Sequence, residues 1–476
     1  YTLTCVALAL NWSRDRQRWS GGWLLSLLLG GLVVGSLRAI NTWDYPTYLL
    51  LGLVGLAWPL LDRAERWSWP AAWGFLWRGA LLVGLTALLF LPYTRNYVAA
   101  YTRVQPWREM RTTLGIYLLL VGQFLLPLFT LLAIEARRAL RQARSAEVAG
   151  TEDTALLPQW ALLLLAGGGV LLFGFAAFIL KVPVAAVAVP AIGLAATLAL
   201  STASSPRRRF VFLLLALALA LTLGVEIVVL EGDIGRMNTV FKFYFQAWTL
   251  LAVATAATLV WLQEELRRWS VNARQAWWTV MVVLIAAMAL FPLMSIPAKV
   301  GDRITTATGP TLDGMAYMQF GRTWDVRGEV DLAPDYHAIV WLQENVLGSP
   351  VILEGLGERE YLWGNRVSIY TGLPAVVGWN WHQRQQRAAA GAGDVEQRRR
   401  DVYEFYETAD VARAQEILAR YDVRYVYVGP YERLYYSANG LAKLAAMAAD
   451  GTLQLVYDRD GVCIYERSES RTVLEP

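Results

Sequence analysis

The stretch WWTVMVVLIAAMALFPLMSI, residues 277–296, runs for twenty residues without a charge and then gives way to PAKVGDR, residues 297–303. A hydrocarbon core about 30 Å thick needs roughly 20 apolar helical residues, so the segment reads as a membrane span ending near Pro297. Upstream, comparable runs lie near 21–38, 45–61, 72–92, 113–134, 159–180, 182–202, 210–230 and 243–262. These runs lack the alternation of a barrel strand, and only helices or closed barrels satisfy backbone groups in lipid. The expected fold class is mainly α: a polytopic helical membrane bundle over residues 1–298, with nine complete spans and one partial, followed by an α/β domain over 299–476.

Composition agrees, with 56% hydrophobic and 17% charged residues in 476, unlike a soluble chain of this length. The sequence opens at Tyr1 inside an apolar stretch ending near Asn11 and is expected to be a fragment or processed product. Cys5 and Cys463 sit at opposite ends, and His337 and His382 are the two histidines. No disulfide or zinc spacing results, and no built-in transition-metal site is expected.

Lys and Arg concentrate in the loops that stay on the cytoplasmic side. One alternating set carries Arg14, Arg16, Arg18, Arg63, Arg66, Arg137, Arg138, Arg141, Arg144, Arg207, Arg208, Arg209, Arg267, Arg268 and Arg274. The other carries Arg38, Arg95, Arg103, Arg108, Arg111, Lys181, Arg236 and Lys242, which is 15 against 8. The first set is therefore read as cytoplasmic, and the C-terminal domain follows the last span outward.

Half of the eight outer charges fall in LPYTRNYVAAYTRVQPWREMRTT, residues 91–113, where Arg95, Arg103, Arg108 and Arg111 alternate with Tyr93, Tyr97, Tyr101 and Trp107. Guanidinium groups bond phosphate oxygens in pairs, so one reading is a docking site for a lipid-linked phosphate. The other is an interfacial helix with aromatic anchors and snorkelling arginines.

The outer loop LRAINTWDYPTYLL places Asn41 and Asp44 at a helix mouth. Asn41, Thr42 or Asp44 caps that helix, with Pro46 in its first turn, or Asp44 works as a general base or holds a divalent cation, magnesium or manganese. A third loop, VVLEGDIGRMNTVFKFYFQAW, brings Glu226, Glu231, Asp233, Arg236, Asn238, Lys242 and Gln246 to another membrane entrance. Asn238, Lys242 and Gln246 share one helix face at a spacing of four. Ionisable groups at such depth are costly and usually partnered, and the structural reading is a salt bridge from Arg236 or Lys242 to Glu231 or Asp233. Lys181 marks a tight outer turn.

In the C-terminal domain, helices are expected at DYHAIVWLQENV, VEQRRRDVYEFYET and VARAQEILARY. Strands are expected at SPVILEG, RVSIYTGLP, VRYVYVGP, GTLQLVYD and VCIYE. The loop GLPAVVGWNWHQRQQR sets Trp379, Asn380, Trp381 and His382 side by side. Aromatic rings beside hydrogen-bonding groups suit sugars, and equally a packed loop. No phosphate-binding glycine motif or Ser/His/Asp constellation is present. The short, membrane-flanking arginine clusters exclude nucleic acid as a partner.

The segments AINTWDYPTYLLL, EGDIGRMNTVFKFYFQAW, GLPAVVGWNWHQ and VRYVYVGPYER resemble the YYY membrane protein family along almost the whole chain. That family in turn resembles the GT-C class of membrane glycosyltransferases. The resemblance implies a polyprenyl-phosphate sugar donor, an outward-facing active site and an extracytoplasmic C-terminal domain. Family members resemble a pattern with an earlier outer loop of acidic residues and an Ile-Asn-Tyr-Tyr-Tyr-like run, after which these 476 residues are expected to begin; GT-C enzymes usually place their catalytic carboxylate in the first outer loop.

Two functional expectations follow. In the first, the chain moves a sugar from a polyprenyl-phosphate donor to an extracytoplasmic protein, lipid or glycan of the cell envelope. Asp44, or a carboxylate outside these residues, is the base, and Arg95, Arg103, Arg108, Arg111, Arg236 and Lys242 hold the leaving phosphate. In the second, the chain is a non-enzymatic multi-pass protein of the plasma membrane: a transporter, a lipid-binding scaffold or an envelope-complex subunit.

Overall fold

A computed structural model of the chain describes residues 1–14, 20–62, 69–97, 103–148, 181–201, 204–231, 235–304, 306–387 and 392–468. The expected span at 159–180 and Asp233 lie outside them. Two compact units divide the chain: Tyr1–Asn96 with Tyr101–Pro292, and Leu293–Pro476 with Tyr97–Ala100.

The first unit is helical. Its elements are α1 (Thr2–Arg14), α2 (Gly21–Ile40), α3 (Tyr45–Asp62), α4 (Trp69–Leu88), α5 (Leu91–Asn96), β1 (Val104–Pro106) and α6 (Leu114–Val148). There follow α7 (Ala185–Leu200), α8 (Pro206–Gly224), β2 (Val228–Leu230), α9 (Met237–Leu266) and α10 (Val271–Arg303). Among the described residues, Gly21–Ile40, Leu114–Gln142, Met237–Leu266 and Val271–Arg303 are long and apolar enough to cross a membrane. The remaining runs fall on α3, α4, α7 and α8. α7 has only 16 residues, about 24 Å of helix, and α8 opens on Arg207, Arg208 and Arg209.

Apolar side chains from α1, α2, α3, α6, α7, α8 and α9 form one continuous core, including Leu37, Tyr48, Val121, Leu198, Leu215 and Leu250. α10 keeps most of its apolar surface exposed; only Trp277 and Met281 are buried on it. Glycines permit the closest approaches between helices. A side chain at Gly55 would strike the backbone of Ala9 at 2.7 Å, and one at Gly31 would strike Leu85 at 2.6 Å.

The charged ends of the helices sort by loop. Glu135 of α6 accepts from Ser204 Oγ at 2.5 Å and pairs with Arg138 at 2.6 Å and with Arg208 of α8. Glu265 of α9 takes Arg138 at 2.6 Å and Arg268 at 3.7 Å. Every basic member of this network belongs to the set read as cytoplasmic. Arg103, Arg111, Arg236 and Lys242 of the other set lie near the opposite ends of α6 and α9, described below.

The second unit holds a hairpin of β3 (Arg322–Asp325) and β4 (Gly328–Asp331), and a four-stranded sheet in the order β5-β6-β8-β7. The sheet strands are β5 (Val351–Leu353), β6 (Val423–Val428), β7 (Leu453–Arg459) and β8 (Val462–Arg467). β5 and β6 run parallel; β6–β8 and β8–β7 run antiparallel. The helices are α11 (Ala333–Asn345), α12 (Arg366–Thr371), α13 (Asn380–Gln386), α14 (Ala392–Glu407), α15 (Val411–Arg420), α16 (Pro430–Tyr435) and α17 (Ala438–Ala449).

One expected strand is corrected. RVSIYT, rich in β-branched and aromatic residues, is the helix α12. Asn365 at φ 65° turns the chain into it, and Gly372 at φ 75° ends it. The carboxylate of Glu354 accepts from the backbone amides of Val367 and Ser368, both at 2.8 Å, which satisfies the open N-terminus. Beyond the helix, Ala375 forms a parallel bridge to Ile352, with Ile352 N donating to Pro374 O at 2.9 Å and Val376 N to Ile352 O at 3.2 Å.

Candidate functional site

Two of the segments that the sequence reads as outer are hydrogen-bonded to each other. β1 pairs antiparallel with β2, Val104 opposite Leu230 and Pro106 opposite Val228. The backbone bonds continue past both ends, from Trp107 N to Ile227 O and from Glu231 N to Arg103 O, each 2.8 Å. The arginine-rich segment is therefore an arm of a small ribbon leading into α9.

Glu226 is the hub of that ribbon. It is fully buried and accepts from Thr112 N at 3.0 Å and Thr112 Oγ1 at 2.7 Å, while Arg236 lies 2.8 Å from its Oε1. Arg236 also donates to Val225 O at 3.1 Å and to Thr112 Oγ1 at 3.0 Å, and its guanidinium lies over Trp107. Arg111 bonds the carbonyls of Glu226 and Lys181, each at 3.2 Å. Lys181 itself sits at φ 54°, as a tight turn requires. The salt bridge anticipated for Arg236 thus goes to Glu226 rather than to Glu231. Arg103 reaches Glu231 at 4.0 Å with both side chains open to solvent, and Arg95 and Arg108 are exposed. The signal that marks Glu226 is a lone acid inside the apolar run GVEIVVL, facing a threonine 114 residues away.

Removing one partner of a buried charge pair strands the other at about 3–5 kcal/mol. Glu226→Ala is expected to lower the stability of the detergent-purified protein by that order and to release the amides of the β1–β2 ribbon to hydrogen exchange. Unchanged protection there would mean that Glu226 does not hold the two segments together.

The second cluster joins α9 to the turn between α2 and α3. Lys242 Nζ donates to Asn41 Oδ1 at 3.3 Å and lies 5.3 Å from the ring centre of Trp43. One helical turn further on, Gln246 Nε2 donates to Trp43 O at 3.2 Å. The shared face of Lys242 and Gln246 is thus turned toward Asn41, Trp43 and Asp44, while Asn238, on the same face, is half-buried at the start of α9.

Asp44 is half-buried in this cluster, and burial pushes its carboxyl above the usual carboxylate value. The side chains of Asn41 and Gln246 and the charge of Lys242 act in the opposite direction without cancelling that shift. Asp44 Oδ1 and Gln246 Oε1 are both buried with no hydrogen-bond partner among the described residues. Buried acceptors are nearly always satisfied, so two orphaned oxygens beside an ammonium leave room for a donor from outside the chain. Among the described residues, no group of three or more His, Cys, Asp or Glu side chains is placed to hold a metal ion.

The GWNW segment lies in the second unit. Trp379 packs edge-on to Tyr361, with ring centres 5.0 Å apart, and its Nε1 donates to Gly364 O at 3.1 Å. His382 Nε2 is 3.2 Å from Tyr361 Oη, and Trp381 N donates to Glu360 Oε1 at 3.0 Å. Asn380, Trp381 and His382 belong to α13.

Residues 1–251 match the family described as uncharacterized membrane protein (DUF2298), in accord with the YYY membrane protein resemblance. The match runs from α1 into α9 and takes in both polar clusters. No curated protein matches the chain.

Proposed function

The chain belongs to this DUF2298 family of uncharacterized membrane proteins, and from that premise we propose that it is a GT-C-like glycosyltransferase of the plasma membrane. It moves a sugar from a polyprenyl-phosphate donor to an acceptor hydroxyl outside the cytoplasm, and its C-terminal unit is extracytoplasmic. The observation that carries this reading is the pairing of Asp44, with its unpartnered Oδ1, and the Lys242 ammonium around one helix mouth.

In this scheme Asp44 takes the proton from the acceptor hydroxyl. The acceptor oxygen forms a bond to the anomeric carbon with inversion, the bond from that carbon to the phosphate oxygen breaks, and the electron pair leaves with the polyprenyl phosphate. The negative charge growing on that phosphate is met by Lys242. Arg111 and Arg236 act one step back, because their guanidinium groups already serve Glu226 and the ribbon. Arg95, Arg103 and Arg108, exposed before and along the ribbon, are placed to attract the anionic headgroup.

The test is turnover in proteoliposomes supplied with polyprenyl-phosphate hexose and with an envelope extract of proteins, lipids and glycans as acceptor, followed by release of polyprenyl phosphate. The native chain is expected to release it, and Lys242→Met to slow release at least tenfold with reconstitution unchanged. The commitment of Arg111 and Arg236 to Glu226 favours a second reading, a lipid-binding scaffold without chemistry. Binding of the donor without release identifies that case.

A further inference from the structure

The second unit contains a cavity of about 320 Å³, the lower end of the range for small-molecule sites. It is lined from the loop after β5 (Leu356, Gly357, Glu358, Arg359, Glu360), from α14 (Arg399, Tyr403), from the end of α16 (Tyr435, Tyr436) and from Trp379 and Asn380. Both segments that follow the parallel strands β5 and β6 contribute. The carboxyl ends of parallel strands are where α/β sheets bind ligands, because the loops there converge without a strand to cover them.

The walls are rigid. A side chain at Gly357 would meet the hydroxyl of Tyr431 at 2.0 Å, and one at Gly378 would meet Gln383 at 2.7 Å. Tyr361 and Asn365, flanking the loop, both hold positive φ, at 64° and 65°. Such conformations persist only where the surroundings enforce them, and they gather at binding sites.

Three features define the chemistry. Asn380 Oδ1 and Glu360 Oε2 are buried acceptors with no partner among the described residues, so a ligand must bring hydroxyl or amide donors. Arg359 has no hydrogen-bond or ion-pair partner among the described residues, while Arg327 and Arg399 are held by Glu358 at 2.8 Å and Glu396 at 2.7 Å. That leaves one uncommitted guanidinium for an anionic group. Trp379, Tyr403 and Tyr435 are among the lining residues, and aromatic rings pack against the apolar face of a pyranose.

We propose that this cavity binds an anionic carbohydrate: a sugar ring carrying a carboxylate or a phosphate. Its hydroxyls donate to Asn380 Oδ1 and Glu360 Oε2, and its anion is held by Arg359. The inference stands apart from the transfer chemistry assigned to Asp44 and holds for an enzyme or for a scaffold.

The probes are D-glucuronate, glucose 1-phosphate, glucose and inorganic phosphate, titrated calorimetrically against the full chain in detergent. Glucuronate or glucose 1-phosphate is expected to bind at least tenfold more tightly than either glucose or phosphate. Arg359→Ala, at an exposed position, should weaken that probe at least tenfold, and Tyr403→Ala should weaken it without removing the preference over glucose. Equal affinity for glucose, equal affinity for bare phosphate, no binding of any probe, or an Arg359→Ala variant that binds like the native chain overturns the proposal.

Discussion

Replacing Arg366 by methionine is expected to cost the C-terminal unit about 3–5 kcal/mol, the penalty for stranding buried charge. Arg366 is 1% exposed and lies between Asp335 and Glu432, both 0% exposed. Its Nε donates to Asp335 Oδ2 at 2.6 Å and its Nη2 to Glu432 Oε2 at 2.8 Å, with the rings of Tyr427 and Tyr431 each 5.1 Å away. The two carboxylates tie the fold together. Asp335 also accepts from Trp363 Nε1 and Tyr427 Oη, both at 2.6 Å, and Glu432 from the amides of Gly355 at 2.9 Å and Gly429 at 2.8 Å.

The effect has a definite pH dependence. Burial by itself would raise the Glu432 carboxyl, but Arg366 and the two glycine amides outweigh it, so the group is held below the ordinary 4.5. A carboxyl lowered in the folded state contributes stability that is present above its unfolded value and is lost as pH falls through the folded one. With methionine at 366 that contribution disappears. The gap between native and variant is therefore largest near neutral pH and narrows below about pH 4.5. Hydrogen exchange of the β6 and β8 amides measures it. A gap that stays constant down to pH 3 would show that Arg366 acts through packing alone.

The second large effect is expected at Asp44. If its carboxylate is the base, Asp44→Asn should lower sugar transfer by about 10²–10⁴-fold, the usual range for general acid–base catalysis. Binding of the lipid-linked donor and membrane insertion should be unaffected. The base works only when ionised, and burial raises its carboxyl. The acidic limb of the rate profile should then fall at a pH above the ordinary 3.8 of an aspartate. Transfer by Asp44→Asn at the native rate would remove Asp44 from the mechanism.

The membrane unit was legible because its determinants are local. Apolar runs of helical length and arginine-bearing loops are read along the chain. The face formed by Lys242 and Gln246 follows from a spacing of four, and it meets Asn41 and Trp43. What stayed hidden depends on partners distant in sequence. Thr112 and Glu226 are 114 residues apart, and Arg366 and Glu432 are 66 apart. No local pattern announces either pair.

RVSIYT shows the opposite failure. Its β-forming side chains argued for a strand, and tertiary context overrode them through the carboxylate of Glu354, the residue after β5. The helix ANGLAKLAAMAA was also missed, although its Ser437 cap, which accepts from Gly440 N at 3.2 Å, stands in the sequence. The cavity lined by Trp379 is assembled from five separate segments, Arg327 of the β3–β4 turn among them. Only its GWNW portion carried a visible signal.

The turn holding Asp44 and the mouth of α9 are proposed to open on the side opposite the loops that carry Arg138, Arg208 and Arg268. Thr42, exposed in that turn, can be replaced by cysteine in a chain carrying Cys463→Ser, and Arg207→Cys serves as the inner-side reference. With an impermeant maleimide applied to intact spheroplasts, Thr42→Cys is expected to label at once and Arg207→Cys only after permeabilisation. The reverse order would place Asp44 and Lys242 on the cytoplasmic face and contradict the proposed site.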